Sequence, residues 1–281
     1  MAVARTVVSA EALETVSSGG QKLLCYDLEQ PRRFGDPTFP AHQPGTVFTL
    51  HRRHEPGLPE RRTSASGMIV TAEHSGTHID ALCHQAYDLK LYGGVAVNAT
   101  VQTSTGFTRL GVETIAPLVA RGVLLDVARH EGVERLPVGF RISRAKLEEV
   151  AAKAGVRLQK GDVLLVRTGY GACWRDAATY LAAPGVTADG SQWAAECGVA
   201  AVGADNVAWD IPSGVAAETE TTLPGHVILL VRAGIHIIEN LLLEELAADR
   251  RTEFTFVCLP LKVIGGTGCP VRPIALVREA A

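Results

Sequence analysis

The sequence predicts a single α/β domain built on a mixed β-sheet. Three observations predict it. Apolar strand-like runs and helical stretches are interspersed along all 281 residues without alternating strictly, which is the pattern of a mixed sheet rather than a doubly wound parallel one. No sharp linker and no internal repeat divides the chain. A hydrophobic content of 47% supplies enough apolar side chains for a sizeable core. On this reading residues 1–22 are a loosely attached N-terminal segment, and residues 23–281 are the domain.

Taken in order, residues 1–20 read as a short helix followed by a Ser/Gly tail. Leu23 to Leu28 reads as a first strand. Six prolines and glycines between residues 29 and 46 mark an extended loop. Val47 to His51 and Gly67 to Glu73 read as strands, and the charged stretch between them, with Arg52, Arg53, Arg61 and Arg62, as a solvated loop. A lid that steers an anionic substrate is the alternative for that loop, because it lies just upstream of a histidine cluster.

Tyr87 to Gly94 is turn-rich, and Gly122 to Ala128 and Val163 to Arg167 read as buried strands. Ser143 to Ala154 is the clearest helix. Ser143 can cap it, Leu147, Val150, Ala151 and Ala154 form one stripe, and Gly155 can end it. Tyr170 to Gly190 reads as irregular, with Trp174 and Tyr180 as packing aromatics. A short helix over Ser191–Cys197 and a strand over Val199–Gly203 follow. Residues 211–225 read as a loop, His226 to Arg232 as helical and Ile235 to Ile238 as a strand ending at Glu239. Strands over Phe254–Leu259 and Val271–Val277 close the chain around the glycines at 265, 266 and 268.

Composition excludes several classes. A formal charge of −3 gives no reason to expect nucleic acid or an anionic membrane as a partner. No apolar run is long enough to span a bilayer, and the first twenty residues lack a signal-peptide layout, so a cytoplasmic location is expected. Six scattered cysteines with no C-x-x-C pair argue against a disulfide framework. There is no G-x-S-x-G nucleophile elbow and no phosphate-binding loop of the G-x-x-x-x-G-K type.

The chemistry concentrates in residues 74–84, His-Ser-Gly-Thr-His-Ile-Asp-Ala-Leu-Cys-His. Three of the nine histidines and one aspartate fall there, and imidazole with carboxylate suits zinc or manganese. On a strand, His78 and Asp80 share a face. His74 in an extended chain lies about 13 Å from His78, too far for one ion. A turn at Gly76, with Thr77 hydrogen-bonded locally to hold it, brings His74 back. His84 is the candidate general base or acid, since an imidazole titrates near about pH 6.5. A fourth-ligand role is its alternative, and catalysis is preferred because a catalytic ion needs an open position. Cys83 reads as a small buried hydrophobe rather than a ligand. On residues alone, His226 and Glu239 read as structural.

The pattern H-x-G-T-H-x-D-x-x-x-H, His74 to His84, resembles the signature of the cyclase-family metal-dependent hydrolases, which include bacterial kynurenine formamidase and isatin hydrolase. The similarity extends from about Leu23 to Val277, through Tyr26-Asp27-Leu28, Arg167-Thr168-Gly169, Gly203-Ala204-Asp205 and the Gly265–Pro270 loop. Leu82 stands where formamidases often carry proline, and the chain is longer than a typical formamidase. The resemblance implies a swivelling β/β/α-type fold with a barrel-like mixed sheet. It implies one or two divalent ions, Zn²⁺ or Mn²⁺, held by His74, His78 and Asp80. His226 and Glu239 join as further ligands when Asp80 bridges a second ion. It also implies a homodimer or homotetramer and a small-molecule substrate.

The expected function is therefore opening of a C–N amide bond, in an arylformamide such as N-formylkynurenine or a cyclic amide such as isatin, by a metal-activated water with His84 moving the proton. Lactone hydrolysis, a biosynthetic cyclase or dehydratase using the ion as Lewis acid, and a non-catalytic metal-binding protein are the alternatives.

Overall fold

The computed structural model describes residues 6–7, 23–57, 59–211, 216 and 219–278. In chain order the strands are β1 (Thr6–Val7), β2 (Leu23–Asp27), β3 (Thr46–Arg52), β4 (Ser66–Thr71), β5 (His78–Asp80), β6 (Gln102–Thr103), β7 (Gly106–Phe107) and β8 (Leu118–Asp126). They continue as β9 (Arg141–Ile142), β10 (Val163–Arg167), β11 (Gly185–Val186), β12 (Ala201–Ala204), β13 (His236–Glu239), β14 (Glu253–Cys258), β15 (Gly268–Pro270) and β16 (Ile274–Arg278). Ten of them form one curled, mixed half-barrel in the order β1-β2-β16-β14-β8-β10-β12-β13-β5-β15. Its centre, β8, β10, β12 and β13, is parallel, and both flanks are antiparallel.

The parallel centre follows from sequence. Val163-Leu-Leu-Val is an unbroken apolar run buried on both faces, as a parallel strand covered on two sides requires. Val163 and Leu165 join one core with Ile79, Ile238 and Phe256. Leu164 and Val166 point the other way, into a second core with Leu147, Val150, Trp193 and Ile237. The helices α1 (Val127–His130), α2 (Arg144–Ala154), α3 (Ala177–Tyr180) and α4 (Ala188–Cys197) follow β8 and β10, and α2 and α4 cover the second core. Ser143 Oγ accepts the Lys146 N–H and caps α2, and Gly155 ends it in the left-handed region at φ +68°.

Several expectations need correction. Ala154 is exposed, so the buried stripe of α2 is Leu147, Val150 and Ala151. Residues 170–190 are more regular than expected: α3, β11 and the start of α4 lie there, and Trp174 and Tyr180 pack edge-to-face in a third, smaller core. The 199–203 strand begins at Ala201. His226 lies at the end of α5 (Pro224–His226), and the chain continues as a π-helix over Val227–Ala233. The helix α6 (Glu244–Ala248) was not anticipated. Of the strand expected over 271–277 only Ile274 onward is one, as β16, and the expected glycine loop before it contains β15. β3 and β4 form a two-stranded sheet of their own, and the charged loop is its tip. The helix expected in residues 1–20 lies outside the described residues except for Thr6–Val7, which pair with β2. The 211–225 loop lies partly outside them. All six cysteines are free.

Candidate metal centre and active site

The site forms at the ends of β5 and β13, on one face of the sheet. His78 and Asp80 are two residues apart on β5 and share that face. The antiparallel register sets Glu239 opposite His78, which puts the Glu239 carboxylate beside them. His236, three residues before Glu239, turns away, and its Nδ1 donates to the Asp80 backbone carbonyl at 2.8 Å. That packing role is the one its strand position predicts.

His74 reaches the same place through the turn. Gly76 sits at φ +59°, and a Cβ there would strike the guanidinium of Arg32. That guanidinium donates to the carbonyls of Ser75 and Thr77 and so clamps both sides of the bend. Contrary to expectation, the Thr77 hydroxyl does not hold the turn by a local bond. It donates to the Asn240 carbonyl at 2.6 Å and accepts from the Gln30 N–H at 2.8 Å, tying the motif to two distant segments. Asn240, itself left-handed at φ +58°, donates its side-chain amide to the Gly76 carbonyl at 2.9 Å.

His78, His226 and His74 are each tied through one ring nitrogen, which turns the other toward the carboxylates. His78 Nδ1 donates to the Gly76 carbonyl at 2.8 Å, so Nε2 faces Asp80 at 3.5 Å and Glu239 at 3.4 Å. His226 Nδ1 donates to Asp210 at 2.7 Å, so Nε2 faces Glu239 at 3.4 Å and Asp80 at 3.7 Å. The Thr267 hydroxyl donates to Glu73 at 2.5 Å, which leaves its oxygen to accept from His74 Nε2 at 2.8 Å. His74 Nδ1 then points at Asp80 Oδ1, 2.8 Å away. Such outer hydrogen bonds fix tautomer and ring direction in metal sites.

Two carboxylate oxygens in this cluster, Asp80 Oδ2 and Glu239 Oε1, are buried without a hydrogen-bond partner. A buried carboxylate oxygen left unpaired is costly. Imidazole lone pairs and carboxylate oxygens converging on one spot fit a divalent ion of the zinc or manganese type. Ligand atoms of His74, His78 and Asp80 lie within 4.8 Å of one another, as do those of Asp80, His84 and His226.

The charges balance within the cluster. Burial alone would raise the Asp80 carboxyl, but the imidazoles of His84, His74 and His78 outweigh it and hold it well below the usual range. Burial opposes charge on His226, yet Asp210 and Glu239 raise it well above its ordinary value. His84 differs. Burial pushes its imidazole down to about 3, against the pull of Asp80, which corrects the near-neutral titration expected of it and leaves a neutral, weakly basic ring at neutral pH. It stacks on His74 with centroids 3.8 Å apart.

These side chains open into a cavity of about 200 Å³. Phe39, Val207, Ala208 and Leu223 give it an apolar wall, and His42, His84 and Gln85 give it polar groups. A larger groove, of about 930 Å³ around Arg129, Arg135 and Arg167, shares none of these residues. The structure thus brings together all six predicted site residues, His74, His78, Asp80, His84, His226 and Glu239. Asp210, Thr267, Glu73, Asn240 and His42 were missed. His42 is one of nine histidines, in a loop marked only by its prolines, and a lone histidine carries little signal.

Fold and site together define an α/β protein with a buried histidine–carboxylate centre suited to a divalent ion. The cyclase family model matches residues 26–211, and the chain belongs to that family. A solved structure described as a novel cyclase is 34% identical, with a TM-score of 0.79, over 89% of this chain and 86% of that one. Isatin hydrolase A from Ralstonia solanacearum shares the fold at 22% identity and a TM-score of 0.72, over 99% and 100% of the two chains. Kynurenine formamidase from Bacillus anthracis is 24% identical over 248 residues, which is 88% of this chain and 95% of that protein.

Proposed function

We propose that this protein is a metal-dependent hydrolase that opens the C–N bond of a small amide, an arylformamide or a cyclic amide of the isatin type. The observation that carries the reading is the convergence of His78 Nε2 and His226 Nε2, each ring tied through its Nδ1, on the unpaired oxygens of Asp80 and Glu239. His74, His78 and Asp80 would hold one ion, and His226 and Glu239 would complete the set for that ion or a second. A bound zinc or manganese ion supplies Lewis-acid polarisation of the carbonyl and makes water more acidic.

The chain's own residues do the rest. Neutral His84 takes the proton of the attacking water as its oxygen bonds to the carbonyl carbon. It returns that proton to the nitrogen as the C–N bond breaks, giving a carboxylic acid and an amine. The apolar wall of Phe39, Val207, Ala208 and Leu223 excludes water from the rest of the substrate and suits a compact planar ring. The amide substrates named for kynurenine formamidase and isatin hydrolase are of that size class, which supports the reading. A homo-oligomer and a small-molecule substrate belong to the same proposal, with residues 23–281 as its domain.

The test is turnover of isatin and N-formylkynurenine in ¹⁸O-labelled water with zinc or manganese added. One ¹⁸O in the acid product is expected. Ring closure or dehydration without label would favour a cyclase or dehydratase. No turnover of any amide or lactone by metal-loaded protein would overturn the reading.

A further inference from the structure

The cavity beside the metal centre holds one imidazole that takes no part in the ligand cluster. His42 lines that cavity with His74, His84 and Gln85. Its ring centroid is 4.9 Å from that of His74 and 6.2 Å from that of His84. The other polar side chains there are engaged: His78 and His226 are tied through Nδ1, and Gln85 Nε2 lies 3.2 Å from His84 Nε2. Neither ring nitrogen of His42 has a hydrogen-bond partner among the described residues.

The backbone fixes this ring where it stands. His42 ends the short turn Pro40–His42, and its N–H donates to the Phe39 carbonyl at 2.8 Å. The Gly45 N–H donates to the His42 carbonyl at 3.1 Å, and the Gly45 carbonyl accepts the Ala72 N–H at 3.0 Å. Gly45 is left-handed at φ +75°, and a Cβ there would strike the Thr38 hydroxyl. The turn is thus anchored to the chain two residues before His74. A held imidazole with free nitrogens offers a ligand a preorganised N–H donor at little ordering cost.

We infer that His42 donates a hydrogen bond to a second carbonyl oxygen of the substrate, one or two bonds from the amide carbon that is attacked. The inference rests on the amide-hydrolase reading, in which His84 serves the attacking water. The two rings are 6.2 Å apart between centroids. A water about 3 Å from His84 and an acceptor about 3 Å from His42 therefore belong to neighbouring groups of one small molecule. His42 then selects amides flanked by a second carbonyl, α-keto lactams and cyclic imides, over plain lactams and formamides. The carbon attacked in a formamide carries only hydrogen beside its oxygen and nitrogen, so it gives His42 nothing to hold. A site built to hydrogen-bond one substrate group discriminates against the analogue that lacks it.

Isatin and oxindole, the same fused lactam without the second carbonyl, test this. Their binding is measured by calorimetry on metal-loaded His84→Ala protein, which holds a substrate without turning it over, and again with His42→Phe added. Isatin is expected to bind about tenfold tighter than oxindole. His42→Phe is expected to remove that preference with oxindole binding and metal content unchanged, and His42→Asn, which keeps a donor, to retain part of it. A preference that survives His42→Phe, an equal loss for both lactams, or loss of metal from the His42→Phe protein would each overturn the inference. If the wild type nevertheless hydrolyses isatin, the hydrolase reading stands without it. A His42-dependent preference in a wild type that turns over no amide would instead remove the hydrolase reading and leave the binding role. Binding and turnover of neither lactam would remove both.

Discussion

Asp210 sets the direction of His226. Its Oδ2 accepts from both the backbone N–H, at 3.1 Å, and Nδ1, at 2.7 Å, of that histidine, while Oδ1 accepts the Gly225 N–H. A Cβ on Gly225 would press on the carboxylate, so the close approach depends on glycine. Asp210→Ala removes the group that holds Nε2 toward Glu239. Metal affinity is expected to fall about 10- to 100-fold, read by competition with a chromogenic chelator, while Asp210→Glu retains part of it.

His84 and Asp80 separate chemistry from binding. His84→Ala is expected to keep its metal and lose about 10²–10⁴ in kcat, because the proposed ligands are intact. Asp80→Ala is expected to lose both, since Asp80 faces His74, His78 and His226. Metal analysis and turnover on the same preparations read both outcomes. Full activity in either variant contradicts the scheme.

His84 also gives the metal-free protein a pH dependence. Its folded value, about 3, lies below the ordinary 6.5. Between those values the unfolded chain binds the extra proton, so this group's stability contribution is complete above 6.5 and is lost as pH falls toward 3. The slope it adds is at most about 1.4 kcal/mol per pH unit. His84→Gln is expected to flatten the fall in urea midpoint between pH 6.5 and pH 4 relative to the chelated wild type. An unchanged slope would contradict the neutral, buried state of this ring.

Asp205 fastens the turn after β10. Its carboxylate accepts from the Thr168 N–H and hydroxyl and from the N–H groups of Gly169 and Gly171. Asp205→Ala strands these donors in the interior and is expected to cost about 3 kcal/mol, measured by urea denaturation.

How much of this the sequence carries depends on whether a feature is local. His74 to Asp80 is readable because a strand's period and one glycine turn act over seven residues. The centre of the sheet is readable because Val163-Leu-Leu-Val is apolar throughout. Asp210 and Thr267 are not readable, since each is a single polar residue whose partner is brought by sheet register from far along the chain. The 78-to-239 pairing that places Glu239 has the same origin. Met68-Ile-Val reads as a strand, but nothing in those residues says that it leaves the sheet. The aromatics Trp174 and Tyr180 organise a small core that sequence shows only as a loop.

The most direct test is metal content of protein purified without chelator, beside that of Asp80→Ala. The account predicts one or two equivalents of zinc or manganese in the wild type and loss of that metal in the variant. Less than about a tenth of an equivalent, with no binding regained on adding either ion, would contradict it.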